Sequence, residues 1–214
     1  MRRFLKIATA LALAAAASAN AASIYSENFD DGIGQGFSYS GLWHVTQNFP
    51  SSPNSSLGFV QNEGAGGSPN GNFNGLWDST AFGATIALPN TTGLSLSFDA
   101  ANFQEGGQFW DEVTVGVFKS GNFTPLASSG SGTAPVLITN NVGYNPYLVS
   151  LQSFAGQSIQ LYFRYRTIDS VGNGYPGARI DNLNIAADVP EPGMIGLLGL
   201  GIAGIAAARR RKRA

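Results

Sequence analysis

The single histidine of the chain limits the catalytic chemistry that the sequence can support. His44 is the only histidine, and there is no cysteine. A histidine-rich metal centre, a thiolate metal site and a disulfide are therefore all excluded. A Ser-His-Asp triad could use His44, but the sequence contains no G-x-S-x-G nucleophile elbow. Because His44 follows Trp43 in a short apolar stretch, we interpret it as a surface residue of a β-strand.

Two neighbouring carboxylates could in principle act on a glycosidic bond. Asp111 and Glu112 follow Trp110 directly, and glycosidases use a pair of acidic side chains. Adjacent residues on a strand point to opposite faces, so these two cannot both line one cleft if a strand begins there. The sequence therefore favours a protein without catalytic activity, and a surface hydrolase is the weakest of the alternatives.

Exposed aromatic side chains offer a second kind of chemistry, the stacking of rings on sugars. Five aromatic residues lie in or beside segments rich in glycine and asparagine: Trp77, Trp110, Tyr144, Tyr147 and Tyr175. Their rings present an apolar face together with a polar edge, which suits a sugar ring. The same residues could instead anchor loops to the core, and the sequence leaves both interpretations open.

The charge between the two ends of the chain is strongly negative. Residues 22–188 contain four basic and twelve acidic residues, which gives a formal charge of about −8. Nucleic-acid binding is disfavoured, because it requires basic residues that neutralise phosphates. An acidic domain of this kind remains compatible with divalent cations.

Short apolar segments separated by turn residues indicate an all-β domain. None of the longer segments has a helical apolar period, and Leu94–Ala100 alternates apolar and polar residues. The pattern predicts strands at Ile24–Phe29, Leu42–Thr46, Leu57–Val60, Ala84–Leu88, Leu94–Ala100, Glu112–Phe118, Tyr147–Leu151, Ile159–Arg166 and Arg179–Ile185, with a weaker one at Pro135–Thr139. Nine or ten strands without intervening helices predict an antiparallel two-sheet sandwich.

The first residues have the features of a secretory signal peptide. Three basic residues precede the apolar run Ile7–Ala17, and Ala19-Asn20-Ala21 supplies a small-x-small cleavage pattern. We therefore expect residues 1–21 to be removed and the mature chain to begin at Ala22. Residues 22–187 are then the exported domain.

The other end of the chain is a second targeting segment. A proline-containing linker leads into the uncharged run 193–208, which is close to the minimum length of a membrane helix. The basic cluster that follows should stay on the cytoplasmic side. The linker and cluster consist of Val189, Pro190, Glu191, Pro192, Arg209, Arg210, Arg211, Lys212 and Arg213.

These three parts, in this order, resemble the PEP-CTERM sorting signal. The resemblance covers residues 188–214 and implies processing by an exosortase in a Gram-negative envelope. The protein would be anchored in the inner membrane before processing, and then reach the outer surface or the extracellular matrix. The family also implies an exopolysaccharide or biofilm setting.

The exported domain carries a second, weaker resemblance. Glu27–Gly32 at its start, Val149–Gly156, and Ala178–Leu183 with its Ile-Asp-Asn sequence are similar to MAM-like and carbohydrate-binding-module-like jelly rolls. In those folds the first and last strands are neighbours, and a structural Ca²⁺ is often bound there. The matching oxygen donors in this chain are Glu27, Asp30, Asp31 and Asp181. A turn at residues 30–32 and a loop-capping role for Asp181 would explain the same residues without a metal.

Three functions are therefore open from the sequence. The first is a non-catalytic surface or matrix protein sorted by an exosortase and associated with exopolysaccharide. The second is a glycan-binding module, and the third is a surface hydrolase.

Overall fold

The computed structural model describes residues 20–63, 71–73, 75–104, 110–130, 132–170, 173–189 and 201. Ser23–Ala187 form one compact unit, and most of the second unit, Met1–Ala22 with Asp188–Ala214, lies outside the described residues. The predicted signal peptide, sorting linker, apolar run and basic tail fall almost entirely in that undescribed part. Within the part of the chain that the structure describes, none of the helical residues forms an apolar helix of membrane-spanning length.

The described domain is built from β-strands and one short 3₁₀ helix, Gln152–Phe154. In chain order the strands are β1 (Asn20–Glu27), β2 (Ser38–Tyr39), β3 (Trp43–Thr46), β4 (Ser56–Phe59), β5 (Asp78–Ala87), β6 (Ser95–Phe103), β7 (Asp111–Lys119), β8 (Asn122–Ser128), β9 (Val136–Leu137), β10 (Asn141–Ser150), β11 (Ser158–Thr167) and β12 (Gly177–Val189). The predicted all-β class is confirmed.

The strands form two six-stranded sheets. The first has the order β10-β6-β12-β4-β3, with β1 also paired to β12, and the second has the order β2-β5-β11-β7-β8-β9. The first and last strands are therefore neighbours, as the sequence resemblance implied. The pairs within the main path of each sheet are antiparallel, except that the two-residue strand β9 runs parallel to β8.

The alternation of side chains explains why the two sheets pack face to face. On β6, Leu96 and Phe98 are buried while Ser97 and Asp99 are only partly buried. Strand β11 repeats the pattern in the other sheet, where Phe163 and Tyr165 are fully buried. Period-two alternation turns one face of each sheet inward, and the buried residues of both sheets form one hydrophobic core.

Several strands differ from the prediction: β2 was not predicted, β5 begins earlier than Ala84, and β8 and β10, which contain prolines, also differ. Strand β8 contains Pro125 and was not predicted. Strand β10 begins at Asn141 rather than at the predicted Tyr147, and it includes Pro146. Proline cannot donate to the strand ladder, so its presence argues against a central strand. Both strands tolerate it because β10 is at the edge of its sheet and β8 has only the short β9 beyond it.

Candidate functional site

Four large apolar side chains are exposed at one end of the sandwich, on segments that border the strand ends there. They are Leu76, Trp110, Ile168 and Tyr175, with exposed fractions of 65%, 46%, 50% and 39%. Leu76 precedes β5, Trp110 precedes β7, and Ile168 and Tyr175 belong to the connection between β11 and β12. We call these four residues the end patch.

Hydrogen bonds tie the segments of the end patch to one another. The amide of Ile168 donates to the carbonyl of Trp110 at 2.7 Å, and the amide of Thr167 donates to the carbonyl of Trp77 at 2.9 Å. The side-chain amide of Asn173 donates to the carbonyl oxygens of Gly75 and Asp169, at 2.7 and 2.9 Å. The exposed side chains are therefore carried on backbone that is fixed by its neighbours.

In the structure, the five aromatic residues predicted to stack on sugars fall into two groups, exposed and packed. Trp110 and Tyr175 lie in the end patch. Trp77 is half-buried against the core, with its ring centroid 6.3 Å from that of Phe59 in an edge-to-face arrangement. Trp77 is therefore placed for packing rather than for stacking on a ligand.

The other two tyrosines also have partners within the protein. Tyr144 stacks on Phe49 with ring centroids 5.6 Å apart, and its hydroxyl donates to the Phe49 carbonyl at 2.9 Å. Burial raises the pKa of the Tyr144 hydroxyl well above its ordinary value. Tyr147 stacks on Phe98 at 5.4 Å, and its hydroxyl accepts a hydrogen bond from the amide of Thr139. Glycine- and asparagine-rich flanks surround all five aromatics, so sequence alone could not distinguish these two groups.

Asp111 and Glu112 lie on opposite faces of β7, as the sequence predicted. Asp111 is buried on the core side, where its charge adds to the effect of burial in raising the pKa of Tyr165. Glu112 lies on the outer face and accepts from Ser128 at 2.6 Å and from Arg166 at 2.6 Å. Burial would raise the pKa of Glu112, but these donors lower it. The two carboxylates do not form a catalytic pair.

Three of the acids proposed as calcium ligands line a polar cleft of about 560 Å³ near the start of the domain. Its lining includes Glu27, Asp30 and Asp31. Both Glu27 carboxylate oxygens accept backbone amides, from Phe29 at 2.7 Å and Gln35 at 3.0 Å. Asp30 and Asp31 likewise accept hydrogen bonds at both oxygens.

Asp181, the fourth proposed ligand, is fully buried and is not among the residues that line the cleft. One of its oxygens accepts the amides of Ser51 and Ser52, at 2.9 and 2.7 Å, and the other accepts the amide of Asn182 at 2.7 Å. It therefore caps the loop that follows β3. Among the described residues, no group of three or more acidic or histidine side chains is arranged around one ion position. The four carboxylates as placed do not fit a common calcium site, and calcium binding stays a prediction.

Comparison with known proteins identifies the tail and relates the fold of the domain to sugar-binding proteins. Residues 188–212 match the PEP-CTERM protein-sorting motif. No curated protein matches the chain by sequence. A family 61 carbohydrate-binding module, TmCBM61 in complex with β-1,4-galactotriose, is 11% identical, with a TM-score of 0.50 over 75% of this chain and 94% of the module.

Two further solved structures are similar at lower scores. The xylan-binding domain CBM22-1 of Xyn10C from Paenibacillus barcinonensis is 13% identical, with a TM-score of 0.46 over 81% of this chain and 100% of that domain. The K1 cleaved adhesin domain of Lys-gingipain from Porphyromonas gingivalis W83 is 19% identical, with a TM-score of 0.48 over 77% of this chain and 98% of that domain. The chain thus joins a two-sheet β-sandwich, similar in fold to a carbohydrate-binding module, to a C-terminal PEP-CTERM sorting motif that marks it as an exported substrate of an exosortase.

Proposed function

We propose that the chain is a non-catalytic surface protein whose β-sandwich binds a neutral glycan at the end patch. The observation that carries this proposal is the exposure of Trp110, Tyr175, Leu76 and Ile168 on segments that hydrogen bonds hold together. Large exposed apolar side chains on neighbouring segments would form an interaction site if their surfaces are continuous. Aromatic rings suit the apolar faces of sugars, and their polar edges suit the hydroxyl groups.

The charges of the domain favour a neutral ligand over an anionic one. The formal charge of residues 22–188 is about −8. Each of the three described arginines forms an ion pair with a carboxylate: Arg164 with Asp78, Arg166 with Glu112 and Arg179 with Glu63. A polyanion would therefore be repelled by the domain, whereas a neutral glycan would bind by stacking and hydrogen bonding.

The sorting motif supports the cellular setting of this proposal. The motif implies delivery of an exosortase substrate to the cell surface, and we propose that exopolysaccharide is the glycan that the domain meets there. Binding to the matrix would then hold the processed protein at the surface after its membrane segment is removed. The pair Asp111 and Glu112 does not support the hydrolase alternative, since these two residues lie on opposite faces of β7.

A glycan array with the purified protein tests the proposal. We expect binding to neutral glycans that changes little with salt, because stacking is not screened as exposed charge pairs are. Trp110→Ala should weaken binding about tenfold, the equivalent of about 1.4 kcal/mol. Leu148→Ala is the matched control, because Leu148 is 67% exposed on β10, away from the end patch. Loss of binding in both variants, or no binding to any glycan, would remove the glycan-binding function and leave only a sorted surface protein.

A further inference from the structure

A fully buried arginine lies next to the end patch. Arg179 on β12 has no exposed side-chain surface, and it donates to Glu63 at 3.1 Å and to the side chain of Asn48 at 3.1 Å. It also donates to the carbonyl of Pro176 at 2.5 Å, directly after Tyr175 of the end patch. A buried charge is costly unless it is paired and hydrogen-bonded, so Arg179 depends on Glu63 as its counter-ion.

The ring of His44 is placed between two hydrogen-bond acceptors. Its Nδ1 lies 2.8 Å from the carbonyl oxygen of Leu42, and its Nε2 lies 2.8 Å from Glu63 Oε1. A neutral imidazole carries a single N–H and can serve only one acceptor, whereas the imidazolium ion donates from both nitrogens. The geometry therefore selects the charged form of His44.

Glu63 consequently joins two cations that come from different strands. One of its oxygens accepts from His44 on β3 and the other from Arg179 on β12, and its side chain is only 15% exposed. Glu63 lies in the connection between β4 and β5. Two residues of that connection, Gln61 and Asn72, are joined by paired backbone hydrogen bonds at 2.7 and 2.9 Å. The carboxylate thus fastens the described start of this connection, residues 61–63, to the outer face of the sheet.

We propose that His44, Glu63 and Arg179 form a pH-sensitive latch that holds residues 61–63, at the start of the β4–β5 connection, and the backbone at Pro176 in place beside the end patch. The charged groups that face His44 are Glu63 and Arg179, and the residue opposite it on β4 is the uncharged Gly58. Tyr144 also faces Arg179, and Thr46 faces Glu63. The latch is complete when the histidine is protonated and the glutamate is ionised.

The pKa values set the pH range in which the latch works. The hydrogen bond to Glu63 raises the pKa of His44 above its ordinary value of 6.5, although partial burial and Arg179 oppose this. Its contribution to stability is therefore complete below 6.5 and is lost as the pH rises through the folded-state value.

Glu63 responds in the opposite sense. Burial alone would raise its pKa, but the hydrogen bonds from His44 and Thr46 and the charge of Arg179 lower it below 4.5. Its contribution is complete above 4.5 and is lost as the pH falls through the folded-state value. The latch is thus strongest in mildly acidic solution, between 4.5 and 6.5.

Nuclear magnetic resonance of the full chain tests the latch without any ligand. Because His44 is the only histidine, its ring signals can be followed unambiguously during a pH titration. We expect the folded-state pKa of His44 to lie above 6.5, with both ring nitrogens protonated at lower pH. Above this pKa, amide exchange at Gln61 and Asn72 should accelerate more than the intrinsic pH dependence of exchange predicts. A pKa at or below the unfolded value, or a single protonated nitrogen at pH 5, would overturn the proposal.

Single-residue variants distinguish the effect of the latch on amide exchange from a general effect of pH on the protein. Glu63→Gln should lower the pKa of His44, and His44→Gln should abolish the excess pH dependence of exchange at Gln61 and Asn72. Asp78→Asn removes the Arg164 ion pair on the other sheet and should leave both readouts unchanged. If Glu63→Gln unfolds because Arg179 loses its counter-ion, the wild-type titration and His44→Gln still decide the question. An unchanged pH response in His44→Gln would contradict the latch.

A consequence for the end patch rests on the proposed glycan function. If the patch binds a glycan, we expect affinity to be higher at pH 6 than above the folded-state pKa of His44, and to become independent of pH in this range in His44→Gln. Absence of binding at every pH would count against the glycan function alone, since the histidine titration does not involve a ligand. Binding that keeps the same pH dependence in His44→Gln would count against the latch alone.

Discussion

Asp181 and Asp99 lie directly opposite each other on β12 and β6. Two carboxylates in this position repel each other, and each has its own compensation. Asp181 is fully buried and accepts three backbone amides, whereas Asp99 is partly exposed and accepts the side chains of Ser51 and Asn182. Asp181 therefore holds three backbone amides in place, whereas Asp99 holds only two side chains.

We expect Asp181→Ala to lower the free energy of unfolding by about 2–4 kcal/mol, because it leaves the amides of Ser51, Ser52 and Asn182 without an acceptor. Asp99→Ala is the matched control and should cost less than about 1 kcal/mol, since it removes only exposed side-chain hydrogen bonds. Chemical denaturation of both variants measures the difference. Equal costs would show that Asp181 does not cap the loop.

The predicted calcium site consists of four carboxylates, those of Glu27, Asp30, Asp31 and Asp181. If the predicted site binds calcium, the ion must displace hydrogen bonds at Glu27, Asp30, Asp31 and Asp181. Saturating calcium should then raise the melting temperature of metal-free protein, and an unchanged melting temperature would contradict the site. A true site would stabilise the protein by about 2.7 kcal/mol at a free concentration 100 times the Kd. Differential scanning calorimetry with calcium and then with a chelator distinguishes the two results, and a reversible increase would establish the site.

Gly177 occupies a position that no other residue fits. Its φ angle is +76°, and a Cβ placed there would lie 2.0 Å from the carbonyl oxygen of Phe59. Gly121 has a similar φ of +82° with open space around it. We expect Gly121→Ala to cost about 1 kcal/mol from backbone strain, and Gly177→Ala to cost clearly more because the clash is added. Thermal unfolding of the two variants provides the test, and equal costs would mean that β12 shifts to relieve the contact.

Trp77 and Trp110 should respond differently to replacement by alanine. Trp77 packs against Phe59, so we expect Trp77→Ala to reduce the free energy of unfolding by about 2–3 kcal/mol. Trp110 is 46% exposed, and Trp110→Ala should change stability by less than about 0.5 kcal/mol. Urea unfolding measures both. A large loss in Trp110→Ala would make it a packing residue and remove it from the proposed binding surface.

The sequence predicted the architecture because period-two alternation is visible in single strands. The alternation over Leu94–Ala100 predicted one apolar face, and Leu96 and Phe98 on that face of β6 are buried. The first half of β5 was missed because Asp78–Gly83 has mixed, small and polar residues, and its strand geometry is imposed by pairing with β11. Propensity is a weak guide where tertiary pairing decides.

The candidate site was only partly predictable. The sequence selected Trp110 and Tyr175, but it could not separate them from Trp77, whose packing partner Phe59 is on another strand. The contact of Glu63 with Arg179 joins residues 116 positions apart. Such contacts follow from the sheet order, which local patterns do not encode.

The sorting motif leads to a prediction about processing in the native host. The motif matches residues 188–212, while β12 ends at Val189, so the motif begins where the last strand ends. We expect the surface form to lack residues 209–213, because exosortase processing separates the exported domain from its membrane segment and basic tail.

Replacing Pro190, Glu191 and Pro192 together by alanine should leave the domain folded but keep the tail attached. Leu148→Ala, a replacement at an exposed position outside the motif, should not affect processing. Intact-mass measurement of surface protein gives the answer, and a wild-type surface form that retains Arg213 would contradict processing and indicate a simple membrane anchor.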